Sequence, residues 1–315
     1  MTPTFQQAVA KQVGVPYFLL NITTHTYENQ PVASGKFPLL IFSPGFGGVA
    51  DFYTSLVEEV ASHGYIVAAL AHPYSLGLVE FPDGRIIAAT DLVTQLNEAN
   101  REKTAAIWAG DAEFALDTLE KLNGSDPLLA GHLDLDHMGA FGHSFGGATA
   151  AEIAHDDPRV LAAINMDGTM FGDAAKSGLT KPFMMMQSDM STDNPSDEEL
   201  VAQGTTRQQY DQATADYNRS VEIALQNAQP GFDFVLKASQ HNTYATDILA
   251  VAKKYGTLLP AGLLGTIDPD HAYNLIRTYV VAFFDQQLKG DDDGFLENPP
   301  NDPDLTLSVL NPSQS

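Results

Sequence analysis

The stretch His137-Met-Gly-Ala-Phe141-Gly-His-Ser144-Phe-Gly146-Gly-Ala148 decides how the rest of this chain is read. His137 to Phe141 has the length and apolar content of a buried strand, and Gly146 to His155 reads as a helix of small residues. Between them sits Gly142-His143-Ser144-Phe145-Gly146, a G-x-S-x-G turn in the strand-to-helix context that gives the motif its meaning. A serine lifted from so sharp a turn brings backbone against its neighbours. Glycines two before and two after it remove the Cβ atoms that would clash. The helix that follows turns its positive end toward the serine, where negative charge would develop.

Outward from this turn, strand-like and helix-like segments alternate, which argues for a mostly parallel sheet covered on both faces. Phe37 to Phe42 reads as a buried strand that runs into the loop Ser43-Pro-Gly-Phe-Gly-Gly48. Asp51 is placed to cap a helix through about Gly64, followed by a strand from Tyr65 to Leu70. A turn at Phe81-Pro-Asp-Gly-Arg85 precedes a long helical stretch from Asp91 to Leu122. Beyond the serine, strands are expected at Val160–Met166, Pro182–Gln187 and Phe232–Lys237, and a last helix from about Pro269 to Leu288. The polar region Ser188 to Gln229 is a candidate cap or insert, helical in its second half. From about residue 291 to 315 the chain is acidic and proline-rich, and is expected to fray or hug the surface. No repeat or linker marks a boundary, so residues 1–315 are read as a single domain.

Composition narrows the chemistry. With no cysteine among 315 residues, disulfides, thiolate metal sites and cysteine nucleophiles are excluded. Sixteen basic against forty acidic residues give a net charge of −24. Such a surface repels nucleic acid and anionic membranes. No apolar run approaches the roughly 20 residues that span a bilayer, so stable membrane insertion is not expected. No leader of the signal type is visible, yet three glycosylation sequons, at Asn21, Asn123 and Asn218, lean toward secretion with the signal removed. The Gly45–Gly48 loop lacks the lysine and spacing of a phosphate-binding loop. His72-Pro-Tyr74, Asp134 to His137 and Asp291–Asp293 lack the ligand spacing of zinc or calcium sites, so neither metal nor organic cofactor is expected.

A reactive serine needs a base, and the base needs an orienting acid. After Ser144 only His155, His241 and His271 remain. His155 lies in the helix leaving the turn, too local to fold back. His271 opens the last helix, where a plain surface role is expected. His241 follows the strand ending at Lys237, in a loop suited to a mobile imidazole. Two carboxylates stand level for the acid on spacing: Asp167, just past Met166, and Asp189, just past the next strand. An oxyanion would be held by backbone N–H groups of Phe145, directly after the serine, and of Phe46 in the earlier glycine-rich loop.

Leu39-Leu-Ile-Phe-Ser-Pro-Gly-Phe-Gly47, Ala61-Ser-His-Gly-Tyr-Ile-Val-Ala68, Gly142–Ala148 and Asn165-Met-Asp-Gly-Thr-Met-Phe171 together resemble the plasma-type platelet-activating-factor acetylhydrolase family, within the α/β-hydrolase fold. The resemblance covers roughly residues 37 to 290. It implies Ser144 as nucleophile, Asp167 rather than Asp189 as acid, His241 as base and the Phe46 and Phe145 amides as oxyanion donors. It also implies short-acyl carboxylic esters as small-molecule substrates, cleaved through an acyl-enzyme. A lipase or polyesterase on the same fold, and a binding protein without turnover, are the rival readings. The segment before Phe37 is shorter than in typical relatives and the helix around Thr205 to Gln229 longer, so both could reshape the pocket mouth.

Overall fold

The computed structural model of the protein describes residues 1–90, 98–189, 195–202, 204–260 and 262–311. Nine strands are present among them. Seven form one sheet in the order β2 (Ile66–Ala69), β1 (Phe37–Ser43), β5 (Leu133–His143), β6 (Val160–Met166), β7 (Phe183–Ser188), β8 (Gly231–Leu236) and β9 (Leu305–Leu310). All neighbours in it are parallel except β8 and β9. The expected turn at Phe81–Arg85 closes a separate antiparallel hairpin of β3 (Leu78–Glu80) and β4 (Ile86–Ala88).

The continuous apolar runs of the central strands follow from burial on both faces. Alternate residues part to opposite sides. Leu40, Phe42, Ile164, Met184, Met186, Phe232 and Phe234 face one core. Helices Thr54–Ser62, Thr246–Tyr255 and Pro269–Phe284 cover it through Leu56, Val60, Leu249, Ile276, Val280, Phe283 and Phe284. Leu39, Ile41, Ala163, Phe183 and Met185 face the other, covered by helices Glu98–Leu122, Phe145–Asp156 and Arg207–Asn227. Each large side chain so enclosed contributes roughly 1.5–3 kcal/mol. This two-faced, mostly parallel sheet with a serine at the end of a central strand is the α/β-hydrolase fold.

Four features depart from the expectations. The acidic tail does not simply fray: Leu305, Leu307 and Val309 alternate along β9 and close the β8 edge against the first core. The apolar alternation is in the sequence, but the prolines and aspartates before it hide it. His271, far from idle, sits with Nε2 3.1 Å from Asp302 Oδ1 and 3.6 Å from Asp304 Oδ2, fastening the start of the last helix to the approach of β9. That helix ends at Phe284 and continues as a π-turn over Asp285–Lys289. Finally, Pro3–Val13 is a helix, with the Thr2 hydroxyl accepting from the Phe5 amide and Gly14 ending it at φ 72°. It buries Phe5, Val9 and Ala10 against Leu20 and Val49. The expected start of the long helix at Asp91 lies outside the described residues.

Within the polar 188–229 region, the helix Arg207–Asn227 is long enough to have two roles. Val221, Ala224 and Leu225 pack on the sheet like any covering helix. Its first half, from Tyr210 to Tyr217, overhangs the strand ends beside Ser144.

Candidate active site

Ser144 occupies φ 56°, ψ −125°, a strained conformation for a residue with a side chain. Its amide donates to Met166 O at 2.8 Å, which ties the turn to the neighbouring strand end. The flanking glycines are required by contact. A Cβ on Gly146 would lie 2.1 Å from Ser43 O, and one on Gly142 2.4 Å from Gly146 O. Backbone on both sides cannot give way cheaply, so Gly146→Ala is expected to cost at least about 1–3 kcal/mol. A Tm equal to that of the unmodified protein in thermal denaturation would refute this.

Asp167 follows β6 directly and holds φ 55°. Its amide donates to Met186 O at 2.6 Å. The turn beyond it is closed by Asn165, whose Oδ1 accepts from the Gly168 amide at 2.8 Å and whose Nδ2 donates to Gly168 O at 3.0 Å. The Asp167 carboxylate accepts from the Ser188 amide at 2.7 Å and from the Ser188 hydroxyl at 2.9 Å. Burial pushes this carboxyl up, but the His241 hydrogen bond and charge, with the Ser188 amide, outweigh it and hold it below its ordinary value.

His241 opens a short 3-10 turn just past β8. Its Nδ1–H donates to Asp167 Oδ2 at 2.7 Å, and its Nε2 accepts from the Ser144 hydroxyl at 2.9 Å. Ser144, His241 and Asp167 are thus drawn together from three strand ends. His155 engages Asp156 and Ser177 instead, and Asp189 Oδ2 meets the Ala238 amide at 3.4 Å.

The Gly45-Phe46 loop lies against the serine: a Cβ at Gly45 would be 3.4 Å from Ser144 Cβ. The Phe46 and Phe145 rings are 5.4 Å apart. Among the described residues, the amides of Phe46 and Phe145 donate to no acceptor of the protein, as an anion-receiving pair should.

Two recesses meet at Ser144 and His241. The larger, about 680 Å³, is mainly apolar, with Val15, Leu19, Leu20, Ile248, Val251 and Leu263 in its wall. The smaller, about 460 Å³, runs under Tyr210 and Tyr217 past Asp167 and Thr169. The three methionines Met184–Met186 are wholly buried core residues.

A second Ser-His-Asp chain exists in the molecule. Ser43 Oγ is 2.9 Å from His72 Nε2, and His72 Nδ1 is 2.8 Å from Asp111 Oδ2. Ser43 and His72 are each only 1% exposed, and the His72 ring is stacked 3.8 Å from Trp108. No ester reaches a hydroxyl so enclosed; the arrangement anchors the strand that carries the glycine-rich loop. For a metal, the described residues offer one group of closely spaced ligand types, His271, Asp302 and Asp304. It is the same set that fastens β9.

The model of the family "Platelet-activating factor acetylhydrolase, isoform II" matches residues 4–75 and 105–299. The chain belongs to this family. A probable 1-alkyl-2-acetylglycerophosphocholine esterase of Arthroderma benhamiae is 28% identical over 271 residues, covering 83% of this chain and 63% of that protein. The platelet-activating factor acetylhydrolase of Cavia porcellus is 27% identical over 283 residues, covering 82% of this chain and 60% of its own. The chain therefore spans about three fifths of the length of these curated relatives. Among solved structures, a ferulic acid esterase from Streptomyces cinnamoneus superposes with a TM-score of 0.78 at 29% identity, covering 98% of this chain and 83% of that one.

Membership in this family leaves several residues of the site unaccounted for by sequence reasoning. Ser188, the last residue of β7, braces the Asp167 carboxylate; only strand adjacency reveals it. The N-terminal Val13–Ile22 segment walls the larger recess, although nothing in its composition marks it. His143 is the third. It is 3% exposed, and its Nε2 lies 3.0 Å from His241 O. Its place inside the G-x-S-x-G turn was the available signal.

Proposed function

We propose that this chain hydrolyses carboxylic esters through an acyl-enzyme on Ser144. The supporting observation is the hydrogen-bonded sequence Asp167–His241–Ser144, at 2.7 and 2.9 Å, open to a recess and adjoining two amides that have no acceptor among the described residues. His241 Nε2 takes the Ser144 proton as Oγ attacks the ester carbon. The carbonyl oxygen becomes an oxyanion, held by the Phe46 and Phe145 N–H groups. Collapse breaks the bond to the alcohol oxygen, which receives the proton from His241. Water then attacks the acyl-enzyme, gives its proton to His241, and the acid leaves as Ser144 recovers its hydrogen. Asp167 keeps the Nδ1–H tautomer and favours the transient imidazolium.

Short-acyl esters are the preferred substrates on this reading. The relatives' names specify an acetyl ester, and the neighbouring fold is named for an aromatic one. The rival reading, a lipase or polyesterase, draws support from the size and apolar wall of the larger recess. Aryl esters from acetate to octanoate, beside a polyester film, separate the two. The expected kcat/KM peaks at the short end; a maximum at octanoate or release from the film favours the rival. If the larger recess takes the acyl group, Ile248→Trp should lower kcat/KM for the hexanoyl ester by about tenfold and change the acetyl ester little. Equal losses for both esters would remove that role.

A further inference from the structure

We propose that Tyr53 and His143 act as a positioning relay, joining the oxyanion loop to the backbone of His241 so that donor amides and base keep a fixed mutual geometry. The inference rests on the ester-hydrolase reading of the site.

The direction of every hydrogen bond in the relay follows from its ends. The carbonyl oxygen of His241 only accepts, so His143 Nε2, 3.0 Å away, carries the hydrogen. In the neutral ring Nδ1 is then bare and must accept. Its neighbour at 2.7 Å is the Tyr53 hydroxyl, which therefore donates. The Tyr53 oxygen in turn accepts from the Gly45 amide at 3.2 Å. One uninterrupted run results: Gly45 N–H to Tyr53, Tyr53 O–H to His143, His143 N–H to the His241 carbonyl. Gly45 immediately precedes Phe46, the loop donor to the oxyanion. His143 itself is bonded in sequence to Ser144. All three functional parts of the site thus touch one phenol–imidazole pair.

Burial gives the pair its rigidity and its neutrality. Tyr53 and His143 are each 3% exposed. Loss of water first, and the neighbouring His241 second, lower the His143 pKa to about 3, so the ring stays neutral. That matters because the His143 and His241 ring centres are 4.5 Å apart. A charged His143 would oppose the imidazolium that His241 must form, whereas a neutral ring leaves it to Asp167. The fit around the run is close: a Cβ on Gly45 would lie 3.1 Å from Tyr53 Oη and 3.2 Å from His143 Nδ1.

A buried tyrosine and histidine that merely packed would affect stability and little else. A relay predicts a kcat effect with KM preserved, and shared rather than multiplied losses. Tyr53→Phe, nearly isosteric, is expected to lower kcat about tenfold, the scale of one or two lost hydrogen bonds. His143→Leu, which cuts both arms, is expected to lower kcat on the order of 10²-fold through misplacement of the base. The double variant should be no slower than His143→Leu, since both changes break the same run. His143→Gln retains an amide N–H for the His241 carbonyl and should recover a measurable part of the loss.

A readout that needs no substrate runs beside the kinetics: the low-field proton resonance of the His241–Asp167 hydrogen bond. It is expected to broaden in both Tyr53→Phe and His143→Leu. Losses that multiply in the double variant, or full kcat in both Tyr53→Phe and His143→Gln, overturn the relay; so does an unchanged resonance in Tyr53→Phe. Should His143→Leu not fold, the Tyr53→Phe and His143→Gln pair decides. Failure of the underlying reading looks different: the unmodified protein would cleave no ester and Ser144 would take up no phosphonate, while the resonance still reports on the relay.

Discussion

Ser144→Ala is expected to lower kcat by on the order of 10⁶-fold, the scale seen when the serine of such a triad is removed. It should also abolish covalent labelling by a fluorophosphonate. The Asp167–His241 pair and both oxyanion amides survive the substitution, so binding should change far less than turnover. On the proposed mechanism, losing the oxygen deletes the atom that attacks, and water must then approach a carbonyl whose site was built around a protein hydroxyl. The strained Ser144 backbone is held by the Met166 carbonyl and the glycine contacts rather than by the hydroxyl, so the fold should persist. Active-site titration together with ester turnover gives the answer. Turnover equal in Ser144→Ala and the unmodified protein would support a binding protein, or another nucleophile.

The second large effect separates the two aspartates. Asp167→Asn should lower kcat by about 10⁴-fold, because an amide facing Nδ1 favours the wrong imidazole tautomer. Asp189→Asn should retain most activity, since its carboxylate meets the Ala238 amide rather than an imidazole. The reverse ranking would refute the assignment of Asp167. The same substitution has a signature in stability. The folded pKa of the Asp167 carboxyl is lowered, so at acid pH the unfolded chain binds more protons at this group than the folded one. Its contribution is present above the ordinary carboxylate range and is lost as pH falls through the folded value. The Tm of the unmodified protein should therefore fall more steeply on acidification than that of Asp167→Asn. Parallel curves would mean the carboxylate is not stabilised by folding.

The strands were legible where one local rule governs them. Val160–Met166 falls at its expected limits because a buried parallel strand is an uninterrupted apolar run. The edge strand Leu305–Leu310 was not, because its pattern is short and follows a run of aspartates and prolines. Only the vacant side of β8 gives those six residues a partner. The N-terminal helix shows the same limit. Thr2, Pro3 and Gly14 are ordinary start and stop signals, but their meaning for the site comes from the recess that the following segment encloses.

The sequence by itself determined the turn around Ser144, since its glycines answer to clashes with backbone that any strand-to-helix elbow creates. It also determined the layered α/β architecture, because short uninterrupted apolar runs alternating with helix-like segments are a pattern of neighbours along the chain. Spacing left Asp167 and Asp189 level and the family resemblance favoured Asp167; tertiary structure brought its carboxylate to His241, and it alone made His143 and Tyr53 part of the same hydrogen-bonded unit. The physical reason is separation: Asp167 and His241 are 74 residues apart, and Tyr53 and His143 are 90 apart. A hydrogen bond between such groups depends on a few tenths of an ångström, set by the packing of the whole sheet and carried by no local pattern.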